Sequence, residues 1–137
     1  EDAALEAQAR GVQVSLTASG AVFIQGDAEL LRRAVENVIR NAIRYAPQQT
    51  AVEVALAERQ GRVVVTVRDY GPGVPEGSLG RLFDAFYRVE GDRDRASGGV
   101  GLGLSIARRA IELHKGKIRA RNAAPGLAVE IDLPAAV

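Results

Sequence analysis

The sequence predicts one α+β domain: a two-layer sandwich whose mixed, mostly antiparallel sheet is covered on one face by about three helices. Two patterns support this class. Several short segments alternate apolar and polar residues, which is typical of half-buried strands, and two longer segments repeat apolar residues with the helical period. The chain has 137 residues, 47% of them hydrophobic, so it can bury one core. It shows no internal repeat and no linker, and residues 1–137 are expected to form a single domain.

The first third of the chain is expected to contain two short strands and a long helix. Alternation at 12–16 predicts one strand, and the apolar run at 21–24 predicts a second. Asp27 is expected to cap a helix that runs to about Tyr45, before Pro47. Its apolar stripe consists of Leu31, Val35, Val38 and Ala42, and a separate polar stripe consists of Asn37, Arg40, Asn41 and Arg44.

The rest of the chain is expected to complete the sheet. Alternating residues at 52–56 and 63–67 flank a turn at 59–62 and predict a hairpin. The remaining predicted elements are a short helical piece near 78–86, a helix from Gly101 to about His114 that stops at Gly116, and a closing strand pair at 117–120 and 127–133.

Composition argues against several classes of function. The 18 Lys and Arg residues nearly balance the 17 Asp and Glu residues and only 4% of residues are aromatic, so nucleic acid is not an expected partner. The chain has no Cys and one histidine, His114, which disfavours a thiolate zinc site, a disulfide framework and a Ser/His/Asp triad. His114 is expected to have a local packing or capping role. No apolar stretch approaches the roughly 20 residues of a membrane span, so this domain is not expected to contact a membrane directly.

Glycine is concentrated in one segment. Nine of the 15 glycines lie between Gly71 and Gly103, and the last of them run directly into the helix predicted after Gly101. A glycine-lined helix start exposes N–H groups and a partial positive charge, which suits a phosphate chain. The plain alternative is a long surface loop. Neither the P-loop nor the dinucleotide-binding glycine pattern is present in the sequence.

Four polar residues are candidates for binding a ligand. Asp69 follows a predicted strand, where a carboxylate can accept a hydrogen bond from an exocyclic amine such as that of adenine; taken alone, however, the residue is better explained as one that starts a turn. Asn37 and Asn41, one helical turn apart, offer amide oxygens to a hard cation, although two helical asparagines alone are more often solvated or capping residues. Arg44 beside them can hold a phosphate or be ordinary surface charge.

Taken together, these segments resemble the catalytic ATP-binding domain of bacterial sensor histidine kinases, in the superfamily shared with gyrase B, Hsp90 and MutL. Four motifs occur in the family's order. Residues 37–42, NVIRNA, look like the N box; 69–73, DYGPG, look like the first glycine box; 82–88, LFDAFYR, look like the F box; and 99–104, GVGLGL, look like the second glycine box. The FYR and DRDR runs look closest to proteobacterial membrane sensors of the envelope-stress type.

The resemblance implies the Bergerat ATP-binding fold, with ATP and Mg²⁺ as cofactors, and a role for each motif residue. Asn41 would coordinate Mg²⁺ with support from Asn37, and Arg44 and Arg88 would contact phosphates. Asp69 would bind the adenine amino group. The other residues implied in nucleotide binding are Tyr45, Gly71, Gly73, Val74, Gly99, Val100, Gly101, Leu102, Gly103 and Leu104. Residues from about 75 to 98 would form the ATP lid.

One position distinguishes the branches of this superfamily. Hydrolytic relatives such as gyrase B, and the anti-sigma-factor kinases, carry a glutamate where this chain has Asn37. A carboxylate there can act as a general base and a neutral amide cannot, so the resemblance favours phosphoryl transfer over hydrolysis. Glu36 lies about 100° around the helix and is not expected to substitute. Val100 stands where many of the kinases have Thr or Ser.

Three functions remain open at the level of sequence. The first is a phosphotransfer module that passes the γ-phosphate of ATP to a histidine of the same parent protein, upstream of a response regulator. The others are an ATP-hydrolysing clamp and a nucleotide-binding module without turnover. The phosphoacceptor and dimerisation helices are expected N-terminal to Glu1, outside this segment. The parent is expected to be a homodimer in the bacterial inner membrane, with this domain in the cytoplasm.

Overall fold

A computed structural model describes residues 2–18, 20–87 and 103–136 of the chain. That part of the chain contains three α-helices, a 3₁₀ helix and five strands. The helices are α1 (Asp2–Arg10), α2 (Ala28–Tyr45) and α3 (Gly103–Leu113), with the 3₁₀ helix at Glu76–Arg81. The strands are β1 (Gln13–Ala18), β2 (Ala51–Arg59), β3 (Arg62–Arg68), β4 (Lys117–Asn122) and β5 (Leu127–Pro134).

The strands form one mixed sheet in the order β1-β2-β3-β5-β4. β1 pairs with β2 in parallel, and the other three pairs are antiparallel. Alternation places Val63, Val65 and Val67 of β3 on the face toward the helices, where all three are buried. The opposite face carries cross-strand ion pairs, such as Arg62 with Asp132 at 2.7 Å. The predicted α+β sandwich, with helices on one face of the sheet, is confirmed.

The core lies between this sheet and helices α2 and α3, which pack against each other. α2 buries Ala34, Val38, Ala42 and Ile43, so its buried stripe is rotated slightly from the predicted one. Leu31 and Val35, which were expected in the stripe, are half-buried at its margin. α3 contributes Ala107, Ala110 and Ile111 to the same core.

α2 begins at Asp27, as predicted. The Asp27 Oδ1 accepts hydrogen bonds from the backbone N–H groups of Glu29 at 3.0 Å and Leu30 at 3.1 Å. Asp27 N–H in turn donates to Nε2 of His114, and the His114 Nδ1 lies 2.8 Å from the Ala110 carbonyl. Because Nε2 accepts, Nδ1 must carry the ring proton and donate. His114 therefore joins the end of α3 to the start of α2, which is the structural role expected of it.

Removing this cap gives a direct test of the α2 start. The Asp27→Ala variant is expected to lower the free energy of unfolding by about 0.5–2 kcal/mol, because two backbone donors lose their acceptor. Urea unfolding followed by circular dichroism measures the change. Asp27→Asn retains a capping oxygen and serves as the control; equal destabilisation by both substitutions would contradict the assigned cap.

Two local predictions differ from the structure. Residues 21–25 form no strand. Val22 and Ile24 pack against the core, and the Phe23 carbonyl accepts a hydrogen bond from the Ala136 N–H at 2.7 Å that is not part of a strand ladder. The helical piece near 78–86 is the 3₁₀ helix at Glu76–Arg81 followed by turns. Helix α1 was not predicted; it packs on α2 through Ala3 and Ala7, small residues that give only a weak apolar stripe.

Candidate functional site

Asp69 lies where β3 ends and is the most completely buried charged residue in the described part of the chain, at 2% exposure. Its backbone N–H donates to the Leu127 carbonyl of β5 at 3.0 Å. Its Oδ1 accepts from the Gly71 N–H at 2.8 Å, so the turn geometry considered for this residue is present. A carboxylate has about four acceptor sites, and the turn therefore leaves it able to accept a further hydrogen bond from a ligand.

The environment of Asp69 changes its ionisation. Burial raises the pKa of the Asp69 carboxyl above its ordinary value, because the charged form loses solvation. Backbone N–H groups of Gly71 and Leu127 and the nearby Arg68 guanidinium oppose this rise in the pKa. A buried carboxylate of this kind is best compensated by a ligand that donates a hydrogen bond to it.

Gly71 brings the loop after β3 against the end of α2. A Cβ at position 71 would collide with the Tyr45 carbonyl oxygen and lie 3.2 Å from the carbonyl carbon. The close approach therefore requires glycine, because the obstruction is backbone rather than a movable side chain. It places Asp69 and Gly71 of the first glycine box beside the last turn of the helix that carries the N box.

The polar stripe predicted on α2 is divided, because one of its four side chains contacts helix α1. Arg40 binds Glu6 of α1, with Nε 3.3 Å from Oε1, so it faces α1 rather than acting with the two asparagines. Glu36 also faces α1, since its Oε2 accepts from the Ala3 N–H at 3.3 Å. This orientation agrees with the expectation that Glu36 does not replace a catalytic glutamate at position 37.

Asn37, Asn41 and Arg44 are half-buried on α2. The Arg44 Nε is buried, and no acceptor for it lies within hydrogen-bond distance in residues 2–18, 20–87 and 103–136. The Arg44 carbonyl accepts from Arg10 Nη1 at 3.3 Å, which ties α1 to the end of α2. Near the Asp69 loop, α2 thus carries two neutral amides and a cation whose Nε has no acceptor among the described residues.

The donor set on α2 fits a magnesium ion that is bound mainly through a nucleotide. Magnesium in such sites takes one or two protein oxygens, with phosphates and water completing its shell, and Asn37 and Asn41 offer amide oxygens of this kind. Among the described residues, no group of three or more His, Cys, Asp or Glu side chains is placed to hold a metal alone. Within the part of the chain that the structure describes, a magnesium ion would therefore need phosphate oxygens to complete its shell.

The start of α3 and part of the predicted lid complete the described site. Gly103 is exposed at the first position of α3, and Leu104 packs against the core. Phe83 of the F box is buried, and Asp84 forms an ion pair with Arg108 of α3 at 3.7 Å. The other predicted site residues, Arg88, Gly99, Val100, Gly101 and Leu102, and the lid residues 88–98, lie outside the described residues.

Comparison with known proteins identifies the family. The profile of the histidine kinase-, DNA gyrase B- and HSP90-like ATPases matches residues 26–137. The chain belongs to this family. The described helices and strands therefore belong to an ATPase domain of this family, and Asp69, Asn37 and Asn41 fall within the matched range.

The relatives of this ATPase domain are sensor histidine kinases. The chain is 38% identical over 136 residues to the sensor histidine kinase CpxA of Escherichia coli K12, covering 98% of this chain and 29% of CpxA. Its fold matches the mycobacterial sensor histidine kinase MprB with a TM-score of 0.86 and 29% identity, over 98% of this chain and 91% of that one. It also matches full-length ShkA, solved in complex with AMPPNP, with a TM-score of 0.81 and 27% identity, over 98% of this chain and 28% of that one. The chain spans less than a third of the length of the curated relatives that it matches.

The β4–β5 hairpin supports the candidate site, and sequence reasoning did not connect the two. Gly126 lies against the Asp69 backbone: a Cβ there would collide with the Asp69 carbonyl oxygen. Arg68 Nη2 donates to the Ala123 and Pro125 carbonyls at 3.3 and 3.0 Å. Its guanidinium lies 4.1 Å from the centre of the Tyr70 ring. The Pro125-Gly126 pair signalled a turn in the sequence, but nothing local indicated that the turn packs on Asp69.

None of the helices in the described ranges is long and apolar enough to cross a membrane.

Proposed function

We propose that this domain binds Mg-ATP at the site formed by α2 and the loop after β3, and that it donates the γ-phosphate to a histidine on a separate helical domain of the same sensor kinase. The main support for nucleotide binding is the position of Asp69. Its carboxylate is only 2% exposed, accepts a hydrogen bond from the Gly71 N–H and lies beside the end of α2. Family membership and the AMPPNP complex of ShkA support ATP as the nucleotide.

Each candidate site residue has a distinct task in this proposal. Asp69 accepts the adenine amino group, Val74 lines the base pocket and Tyr45 lies against the nucleotide. The glycines at 71 and 73 allow the base to approach the backbone. Arg44 and Arg88 contact the phosphates, and the glycine run 99–103 with Leu104 brings the lid and the start of α3 to them, where free N–H groups favour anions.

Asn41, supported by Asn37, would hold the magnesium ion, which when bound neutralises charge on the phosphates. The domain's own contribution to phosphoryl transfer is then to position ATP and to stabilise charge, since this reaction needs little covalent chemistry from the protein. Asn37 carries no proton acceptor comparable to a carboxylate. Transfer to a histidine of the phosphoacceptor hairpin is therefore proposed over attack by water, and the hairpin would act upstream of a response regulator.

Radiolabelled transfer tests the kinase assignment. The domain is mixed with the phosphoacceptor hairpin of its parent and with γ-labelled ATP and Mg²⁺, and acid-labile label on the hairpin is measured. Labelling that requires both components is the expected result. Absence of label, together with phosphate release that Asn41→Ala abolishes, would replace the kinase proposal with an ATPase clamp. Tight nucleotide binding with neither activity would favour a regulatory module.

A further inference from the structure

The side-chain amide of Asn122, the last residue of β4, binds both polar groups of the Val74 backbone. Its Oδ1 accepts from the Val74 N–H at 2.9 Å, and its Nδ2 donates to the Val74 carbonyl at 2.7 Å. These two atoms give Val74 the pair of hydrogen bonds that a neighbouring strand would provide. Both bonds are partly buried, and they span 48 residues of sequence.

These bonds hold the C-terminal end of the loop from Asp69 to Val74, and the N-terminal end of the same loop is also held. β3 is separated from edge strand β4 by β5. At the start of the loop, Asp69 N–H is bound to Leu127 of β5; further along, Val74 is bound to Asn122 of β4. The loop from Asp69 to Val74 therefore crosses the end of the sheet and is attached to each strand that it passes.

The Asn122 side chain also restricts which residue can stand at position 73. Gly73 has a φ of +73°, and a Cβ there would lie 2.6 Å from the Asn122 Oδ1 and 3.1 Å from the Gly126 carbonyl oxygen. A side chain at 73 would thus be strained and would displace the amide. The glycine is required by the protein's own packing, independently of any ligand.

We propose that Asn122 is a positioning residue of the nucleotide pocket: it sets the Val74 peptide, and through it the wall of the pocket that faces the base. This proposal rests on the proposed function, because it assumes that the loop receives adenine. Asn122 itself does not touch the nucleotide. Its effect passes through Val74, so it is expected to govern how well the base is recognised.

The Asn122→Asp variant separates positioning from simple stability. At neutral pH its carboxylate can still accept from Val74 N–H but cannot donate to the Val74 carbonyl, and it faces the Glu76 carboxylate, which lies 3.2 Å from Nδ2 in the wild type. We expect AMPPNP affinity to fall roughly tenfold relative to wild type at pH 7.5, with reduced preference over GMPPNP. The Val74 carbonyl and the Glu76 carboxylate disfavour the charged form of the introduced carboxyl and so raise its pKa. Once protonated, the acid again offers one donor and one acceptor, so the ratio to wild type is expected to recover as the pH falls through that raised pKa.

Isothermal titration calorimetry from pH 8 to 5 measures these ratios, with the free energy of unfolding measured in parallel without nucleotide. Taking the ratio to wild type at each pH removes the contribution of Asp69. Arg119→Gln alters an exposed residue of the same strand, which pairs with Glu130 outside the candidate site; it is the control and is expected to leave the affinity within about twofold. Asn122→Ala lacks donor and acceptor alike, so its loss is expected to persist at every pH.

The outcomes are distinguishable. An affinity equal to wild type for folded Asn122→Asp and Asn122→Ala would overturn the positioning role. A loss that follows unfolding and does not recover at low pH in the aspartate variant would show a purely structural role and would also overturn it. Failure of the wild-type domain itself to bind AMPPNP would instead reject the proposed function. If the aspartate variant does not fold, the alanine variant still reports the loss of preference for AMPPNP over GMPPNP.

Discussion

Replacing Asp69 with asparagine is expected to weaken ATP binding by roughly 1.5–3 kcal/mol, or about 10- to 150-fold, the usual value for a hydrogen bond to a charged group. The substitution keeps an oxygen for the Gly71 N–H, so the turn is preserved. It removes the negative charge that would accept the adenine amino group. Isothermal titration calorimetry with AMPPNP and Mg²⁺ measures the loss.

The same substitution is expected to leave the domain folded. Burial raises the pKa of Asp69 from its ordinary value of 3.8, so the folded chain binds this proton more tightly than the unfolded chain does. The stabilisation linked to that proton is present at low pH, declines as pH rises from 3.8 through the raised pKa, and is lost above it. At neutral pH the ionised carboxylate therefore opposes folding, and Asp69→Asn is expected to maintain or raise the free energy of unfolding without nucleotide.

A control and a pH series make this prediction specific. Asp132→Asn alters an aspartate that pairs with Arg62 on the face of the sheet opposite the helices. This variant is expected to leave AMPPNP affinity unchanged. Wild-type affinity is expected to decline as pH falls through the raised pKa of Asp69, because protonation removes the acceptor charge, while the affinity of Asp69→Asn does not follow this decline. Unchanged affinity in Asp69→Asn at neutral pH would show that the base binds elsewhere.

A Gly126→Ala substitution is expected to lower the free energy of unfolding by about 2–6 kcal/mol. Gly126 has a φ of +95°, and its added Cβ would collide with the Asp69 carbonyl oxygen and lie 3.0 Å from the Tyr70 Cα. Both the left-handed backbone and the overpacking contribute, at about 1–3 kcal/mol each. Since the obstruction is backbone, relief requires Asp69 to move, and nucleotide affinity is expected to fall in whatever fraction remains folded.

Gly61→Ala provides the matched comparison. Gly61 has a φ of +77° in the turn between β2 and β3, and a Cβ there would have nothing within 4 Å. It therefore carries the backbone strain without the collision, and its expected destabilisation is about 1–3 kcal/mol. Urea denaturation of both variants measures the difference. Equal destabilisation of the two variants would mean that the β4–β5 hairpin does not pack closely against the Asp69 backbone.

The elements that the sequence predicted correctly have strong local signals. α2 has a capping aspartate at its start and Pro47 after its end, and the β2–β3 hairpin has strict alternation across a turn. The strand expected at 21–24 was wrong because an apolar run packs on the core equally well without a pairing partner. α1 was missed because its contact with α2 uses Ala3 and Ala7, whose small side chains give little periodic signal.

The residues of the candidate site also differ in whether the local sequence could predict their positions. Asp69, Gly71 and the α2 asparagines stand in short motifs, so their positions could be inferred from neighbouring residues, and their binding roles stay predictions. Asn122 and Gly126 could not be inferred, because their contacts with Val74 and Asp69 join segments about 50 residues apart or more. Arg40 shared the helical spacing of Asn37 and Asn41, but the tertiary contact with Glu6 turns it elsewhere.

The strand order also determines when the pocket can form. β3 is the central strand and lies between β2 and β5. Its pairing with β5 sets Arg68 opposite Ala128, which is 60 residues later in the chain. Such a contact closes a long loop, which slows folding relative to the local β2–β3 hairpin. During synthesis the hairpin can form early, but the Leu127 carbonyl that accepts from the Asp69 N–H in the folded structure is made only 58 residues later. Nucleotide therefore cannot assist the early stages of folding, and can stabilise only a chain whose last strand is already in place.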